Sequence, residues 1–291
     1  MNMTSISKKF AEVKNEHRTA FMPFLVAGDP DFKTSLAVLK RLSEHADLIE
    51  LGFPYSDPLA DGPTIQAADG RALASGMTTE KVFQLVASIR KFSKIPISVL
   101  VYANLVYQQG IDEFYRKAKK AGIDGVLVPD VPVEEAKPFV TSAKKHGIDP
   151  IFLVAQTTTN ERLKKILKYV AGYLYLVSVL GVTGKRKDFG NETTEFIKRI
   201  RSQTNLPLAV GFGISTREQA QAFAAAGADG TIIGSAIVDI VAKHGDSPLV
   251  TDFIKQFSSL NSPLSSRGGS ILRRIKGNTT SSEEGFPPPA L

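Results

Sequence analysis

Apolar residues fall in short unbroken runs, each followed by a longer stretch where they recur every three or four positions, and the two kinds of segment alternate along most of the chain. The runs predict strands over 20–27, 48–51, 97–102, 125–128, 151–154, 173–177, 208–210 and 231–233. The stretches predict amphipathic helices over 32–46, 79–90, 111–121, 133–146, 160–170, 193–203, 216–226 and 236–242. Several of these stop at a glycine where a helix C′ residue belongs: Gly122, Gly147, Gly172 and Gly227. Pro23 counts against the first run as a central strand, because it offers no N–H to a ladder.

Runs that are apolar throughout, rather than at every second position, suit parallel strands buried on both faces. Eight strand–helix units in about 230 residues match an α/β (β/α)8 TIM barrel in size and number; an open doubly wound sheet is the alternative that counting alone leaves standing. We expect one barrel domain over residues 1–260, with a polar lead-in before the first strand. Residues 261–291 change character, being rich in Ser, Gly, Pro and Asn, and read as a flexible tail or an expression remnant.

Composition narrows the chemistry. The 291 residues are 43% hydrophobic and contain no cysteine, which removes disulfides, thiolate metal sites and thiol nucleophiles together. No apolar run approaches the roughly 20 residues of a membrane helix, so the expectation is a soluble, cytoplasmic protein. The net charge of +7 is spread over helical segments rather than gathered with aromatics into a stripe, which argues against nucleic acid and leaves a small phosphorylated substrate open. His17, His45, His146 and His244 lie in the lead-in or near helix ends, away from where a barrel would bind a metal, so no metal site is expected. No lysine lies in or just after strands one to six, which disfavours a Schiff base.

Barrel enzymes work at the C-terminal ends of their strands. That filter collects Glu50, Asp57 and Asp61 around strand two, Asn104 after strand three, Asp130 after strand four, Tyr175 and Ser178 at strand six, and Thr183 beyond it. Glu50 is expected at a strand's end among leucines, where it is either a hydrogen-bonded core acid or a carboxylate kept for proton transfer. Glycine turns follow the last two strands, Gly211-Phe212-Gly213 and Gly234-Ser235, where phosphate-binding barrels hold their anion on backbone amides; tight turning alone would also explain them. The stretch 179–190 sets glycines around Lys185, Arg186 and Lys187, a lid over an anion or simply a solvated charge run.

The motifs Glu50-Leu-Gly-Phe-Pro-Tyr-Ser-Asp-Pro-Leu-Ala-Asp-Gly-Pro, Tyr102-Ala-Asn, Asp130-Val-Pro-Val-Glu134, Gly181-Val-Thr-Gly184, Gly211-Phe-Gly-Ile-Ser and Gly234-Ser-Ala-Ile-Val stand in the order found in the tryptophan synthase α subunit family, which the chain resembles over about residues 10 to 260. The resemblance implies a lyase that cleaves indole-3-glycerol phosphate to indole and glyceraldehyde 3-phosphate by a retro-aldol reaction. It also implies a tryptophan synthase β subunit as partner in an α2β2 heterotetramer, with pyridoxal phosphate in that partner and no cofactor here. By resemblance Glu50 carries the proton transfers, Asp61 holds the indole N–H, Tyr175 supports Glu50, and Thr183 anchors the lid. The indole pocket maps onto Phe24, Leu100, Leu127, Leu153, Phe212 and Ile232, and the phosphate site onto Gly184, Gly213, Gly234 and Ser235. Asp57 and Pro132 match positions used at the β-subunit contact.

Overall fold

The structure is a computed structural model and describes residues 3–177, 188–211 and 217–260. Helix α1 (Ser5–Asn15) leads into β1 (Ala20–Val26) and α2 (Phe32–Ser43). Then come β2 (Ile49–Gly52) with α3 (Pro63–Ala74) and α4 (Thr79–Ile89), and β3 (Ile97–Leu100) with α5 (Ala103–Gln109) and α6 (Ile111–Ala121). They are followed by β4 (Gly125–Leu127) and α7 (Lys137–Lys145), β5 (Asp149–Ala155) and α8 (Asn160–Leu167), and β6 (Leu174–Val177) and α9 (Asp188–Arg201). The last units are β7 (Leu208–Gly211) with α10 (Arg217–Ala225), and β8 (Gly230–Ile233) with α11 (Ser235–His244) and α12 (Pro248–Leu260).

The strands are parallel and ordered as in sequence, and β8 returns to β1 with Phe21 opposite Thr231, so the sheet closes into a barrel and has no edge. Closure decides between barrel and open sheet. β1 holds its place despite Pro23, because Ala20, Phe21 and Met22 pair with β8 while Phe24, Leu25 and Val26 pair with β2 on the other side. One missing N–H is tolerated where the flanking residues carry both ladders. β2 runs on to Gly52, which pairs with Val26 and Leu100. Glu50 is therefore inside a strand, opposite Phe24 and Ser98, and not at the strand end expected from sequence.

The four glycines read as helix stops all have positive φ, and at Gly122 the value is 100°, a conformation that costs other residues a Cβ clash. The expected helix 133–146 starts only at Lys137, because a turn with Glu135 N–H donating to the Pro132 carbonyl comes first. Helices α3, α5 and α12 lie in stretches where no helix was expected. The polar lead-in is also a helix: Ile6, Phe10 and Val13, spaced by four and three, are buried on one face of α1. Three apolar residues among polar ones gave that face little weight in the sequence.

α1 closes the barrel's N-terminal end. The Phe10 ring lies 5.9 Å from that of Tyr173, Ile6 and Phe10 lie over the glycines that begin β4 and β8, and Thr4 donates to Asp149 at 2.7 Å. The same end carries a repeated ionic clamp. Arg90 donates to the Gly122 carbonyl, to the Ile95 carbonyl and to Asp124 at 2.7 Å, while Asp124 also accepts the Ile97 amide at 2.9 Å. Arg201 makes the corresponding set with Gly227, Leu206 and Asp229, and Asp229 accepts the Leu208 amide. Arg18 holds Asp47 through two hydrogen bonds, 2.6 and 2.7 Å, and Asp47 accepts the Phe21 amide. A bidentate arginine with a carboxylate that also bonds a strand is stronger than an exposed ion pair.

Phe10→Ala should open a cavity beneath Tyr173 and lower stability by about 3–5 kcal/mol, read as a shift of the urea midpoint. A loss below about 1 kcal/mol would show that α1 is not part of the barrel's core.

Candidate active site

Glu50 points into the barrel and is wholly buried, as is Ser98 on the adjoining strand. Its Oε1 accepts from the Tyr173 hydroxyl at 3.3 Å, and that hydroxyl shares a 3.0 Å hydrogen bond with Ser98 Oγ. Oε2 has no hydrogen-bond partner among the described residues. Loss of water pushes the Glu50 carboxyl up to about 8; the Tyr173 and Tyr175 hydroxyls pull against this, and the charge of Asp61 adds to it. At neutral pH this is a protonated acid. Both phenols are in turn held far above their usual range by burial and by the charge of Glu50.

Asp61 ends the 53–62 loop, which rises from β2. Its Oδ2 accepts from the Tyr102 hydroxyl at 2.7 Å, and the same hydroxyl accepts the Ala60 amide at 3.0 Å. Burial raises the Asp61 pKa and the Tyr102 hydrogen bond opposes the rise. Tyr102 stacks on Tyr55, with ring centroids 4.9 Å apart and an interplanar angle of 23°. The two carboxylates thus occupy different surroundings, one dry and neutral in the barrel, the other bonded by a phenol at its mouth.

A cavity of about 200 Å³ opens at the mouth. Of the residues selected from sequence, Phe24, Asp61, Leu100, Tyr175, Ile232, Gly234 and Ser235 line it. Glu50 lies behind its wall: Tyr175 faces the cavity and also acts on the Glu50 carboxyl. Tyr175 fits there because position 211 is glycine; a Cβ would come within 2.4 Å of its ring. Leu127 is buried in β4, and Leu153 in β5 pairs with Tyr175, but neither is among the residues lining this cavity. Gly234 and Ser235 begin α11, whose first turn has no side-chain cap, so an anion at the cavity's rim meets the positive end of a ten-residue helix. Thr183, Gly184, Phe212, Gly213 and Ser178 lie outside the described residues, as do Lys185, Arg186 and Lys187.

The remaining candidates sit away from the cavity. Asp57 is exposed and accepts from Ser56, beside Leu59, whose side chain is 95% exposed. Pro132 is exposed after β4. Asp130 accepts the Ala103 amide at 2.9 Å and so caps α5, while Asn104 reaches only the Tyr55 hydroxyl at 3.5 Å. Sequence reasoning passed over Tyr173, Tyr102 and Ile65. Tyr173 precedes Tyr175 by two residues, which on a strand means the same face, and Tyr102 stands at the end of the third apolar run. Those were the available signals. Among the described residues no group of three or more histidines and carboxylates is gathered to hold a metal, and no helix is long and apolar enough to cross a membrane.

Comparison with known proteins gives a consistent set of relatives. Residues 10–261 match the family model described as tryptophan synthase alpha chain. The chain is 54% identical over 232 residues to the tryptophan synthase alpha chain of Methanoregula boonei, covering 79% of this chain and 88% of that one. It is 48% identical over 267 residues to that of Methanothermobacter thermautotrophicus, covering 91% and 98%. Among solved structures, the tryptophan synthase α2β2 complex of Pyrococcus furiosus contains a chain that matches with a TM-score of 0.77 and 40% identity over 82% of this chain and 96% of that one. A chain of Mycobacterium tuberculosis tryptophan synthase matches with 0.82 and 32%, over 90% and 100%.

Because the folded chain binds a proton at Glu50 more tightly than the unfolded chain does, this residue's contribution to stability is complete below the unfolded carboxylate range and is lost as pH rises through about 8. Glu50→Gln should gain on the wild type by at least about 1 kcal/mol between pH 5.5 and 9, measured by urea unfolding at both values. A stability difference that stays constant over that range would mean that Glu50 is not shifted upward.

Proposed function

Because the chain belongs to the tryptophan synthase alpha chain family, we propose that Glu50 and Asp61 are the pair through which it cleaves indole-3-glycerol phosphate to indole and glyceraldehyde 3-phosphate. The observation that carries this assignment is the contrast between them: a carboxyl held neutral inside the barrel, and a second carboxyl 11 positions on in sequence that lines the adjoining cavity. The retro-aldol step needs one proton delivered to indole C3 and one taken from the side-chain hydroxyl. Glu50, protonated at neutral pH, gives its proton to C3; its carboxylate then accepts the hydroxyl proton as the carbon–carbon bond breaks and the aldehyde forms. The acid is regenerated, and no net proton is consumed.

Protonation of C3 makes the indole ring a cation, and Asp61 is the group that balances it, accepting the ring N–H. The Tyr102 hydrogen bond supports that task by favouring the charged form of Asp61 against burial. Phe24, Leu100 and Ile232 supply the apolar seat for the ring, and the start of α11, with Gly234 and Ser235, receives the phosphate. Leu127, Leu153, Thr183, Phe212, Gly184 and Gly213 keep the substrate-binding roles expected from resemblance. Since Glu50 lies behind Tyr175, its side chain must turn toward the cavity for the transfer. The partner is the tryptophan synthase β subunit, where pyridoxal phosphate does its work, and the exposure of Asp57 and Pro132 supports the reading that they meet it. A cytoplasmic location remains part of the proposal, resting on the sequence.

Glu50→Gln should lower kcat by about 10²- to 10⁴-fold while changing KM only a few-fold, since the amide fills the same space without a transferable proton. In the wild type kcat/KM should fall as pH rises through about 8, where the acid loses its proton. Indole release measured across pH with the β subunit present tests both, and unchanged turnover in Glu50→Gln removes the residue from this role. Tyr102→Phe takes away the hydrogen bond that holds the Asp61 pKa down, so the acid limb of kcat/KM should move to higher pH, with a loss of about 3- to 10-fold at pH 6. An acid limb that stays in place would separate Asp61 from that limb.

A further inference from the structure

α3 carries a buried carboxyl that the chemistry above does not use. Asp69 is 4% exposed, its Oδ1 accepts the Tyr55 amide at 3.4 Å, and its Oδ2 is buried with no hydrogen-bond partner among the described residues. Tyr55 stands early in the loop that carries Asp61, and its ring is the one stacked on Tyr102, which in turn donates to Asp61. From the same helix, Gln66 donates to the Asp61 carbonyl at 2.8 Å. α3 therefore grips the loop near both ends, by Asp69 at Tyr55 and by Gln66 at Asp61.

The charged neighbours of Asp69 are arranged against its ionisation. Burial is the largest cause, Asp61 in the loop and Asp29 after β1 add to it, the Tyr55 amide pulls the other way, and the balance pushes the Asp69 carboxyl up to about 7. The nearby cation, Arg71 on α3, is committed to Asp29 through two hydrogen bonds of 2.7 and 2.9 Å and also feels Asp239 on α11, which packs on α3. Among the described residues Tyr102 is a further titratable neighbour, and a charge on Asp69 makes its phenol harder to ionise. Among the described residues no counter-ion is shown for a third carboxylate charge in this patch.

We propose that Asp69 is a positioning residue for Asp61: its neutral form holds the Tyr55 turn, and through the Tyr55–Tyr102 stack it holds Asp61 against the cavity, whereas its ionisation forces the loop to admit water and loosens that hold. This rests on the reading of Asp61 as the residue that meets the indole N–H. The site's grip on an indole phosphate then weakens as pH rises through neutrality, for a reason separate from the titration of Glu50.

The test uses the full chain in a Glu50→Gln background, which removes the other group that titrates in this range, and a non-cleavable indole-alkyl phosphate as ligand. Between pH 6 and 8.5 its Kd should rise about tenfold in Glu50→Gln and less than about threefold in Glu50→Gln/Asp69→Asn, whose amide keeps the acceptor and cannot ionise; the ligand's own phosphate titration is common to both. Asp69→Ala, lacking the acceptor, should bind weakly at both pH values. Parallel curves for the two Glu50→Gln chains, or an Asp69→Ala chain that binds like Asp69→Asn at pH 6, would overturn the proposal. A second readout in the same Glu50→Gln background does not depend on chemistry: the ¹³C resonance of the Asp61 carboxyl, assigned by its loss in Asp61→Asn, should show a second inflection where Asp69 ionises, and Asp69→Asn should remove it. A single inflection in both chains also overturns it. If Asp61→Asn keeps full turnover while the second inflection is present, the assigned role of Asp61 fails and its coupling to Asp69 stands.

Discussion

The structure turns on one carboxyl taken out of water. Burying an ionised carboxylate without a partner is among the costliest things a fold can do, and Glu50 escapes the cost by keeping its proton. Among the described residues, Tyr173 just before β6, Tyr175 within it and the serine of β3 are its polar company, and they supply too little hydrogen bonding to make the charged form the stable one. The glycine at 211 is part of the same arrangement, since the Tyr175 ring occupies the space a side chain there would need. An acid ready to give its proton near neutral pH follows from that packing alone.

A second carboxyl with the opposite need sits close by. Burial raises the Asp61 pKa as well, but here a phenol at the mouth donates to the carboxylate and works against the rise. The difference between the two carboxyls comes from burial and hydrogen bonding, since the side chains are nearly the same. The loop between them leaves Leu59, an apolar side chain, in solvent.

Much of this was legible in the sequence because parallel barrels write a simple pattern: short apolar runs, amphipathic stretches, glycine stops. All eight strand positions and the cavity residues Phe24, Leu100, Ile232, Gly234 and Ser235 follow from that rhythm and from the family motifs. What escaped depends on contacts far apart in the chain. The face of α1 holds only three buried residues, and their value comes from the barrel end they cover. Pro23 removes one N–H from a ladder, and the barrel supplies β1 with a ladder on each side. Tyr173 and Tyr102 matter through hydroxyl partners 123 and 41 residues away, which no local pattern encodes. Glu50 was expected at a strand end because Gly52 and Pro54 look like a stop, yet Gly52 still pairs on both sides.

The arginine clamps at the opposite end bear on how the barrel finds its shape. A closed sheet of eight strands is possible only at a definite stagger between neighbours, and a slip of one step would turn inward-facing side chains outward. Each clamp joins an arginine to a carboxylate just before one strand, and that carboxylate to the first amides of the strand before it, so it marks one allowed offset. The marks fall at β1/β2, β3/β4 and β7/β8. A mis-registered closure at any of these seams would part a carboxylate at least half-buried from the amide and the arginine it serves, which makes the wrong shear expensive.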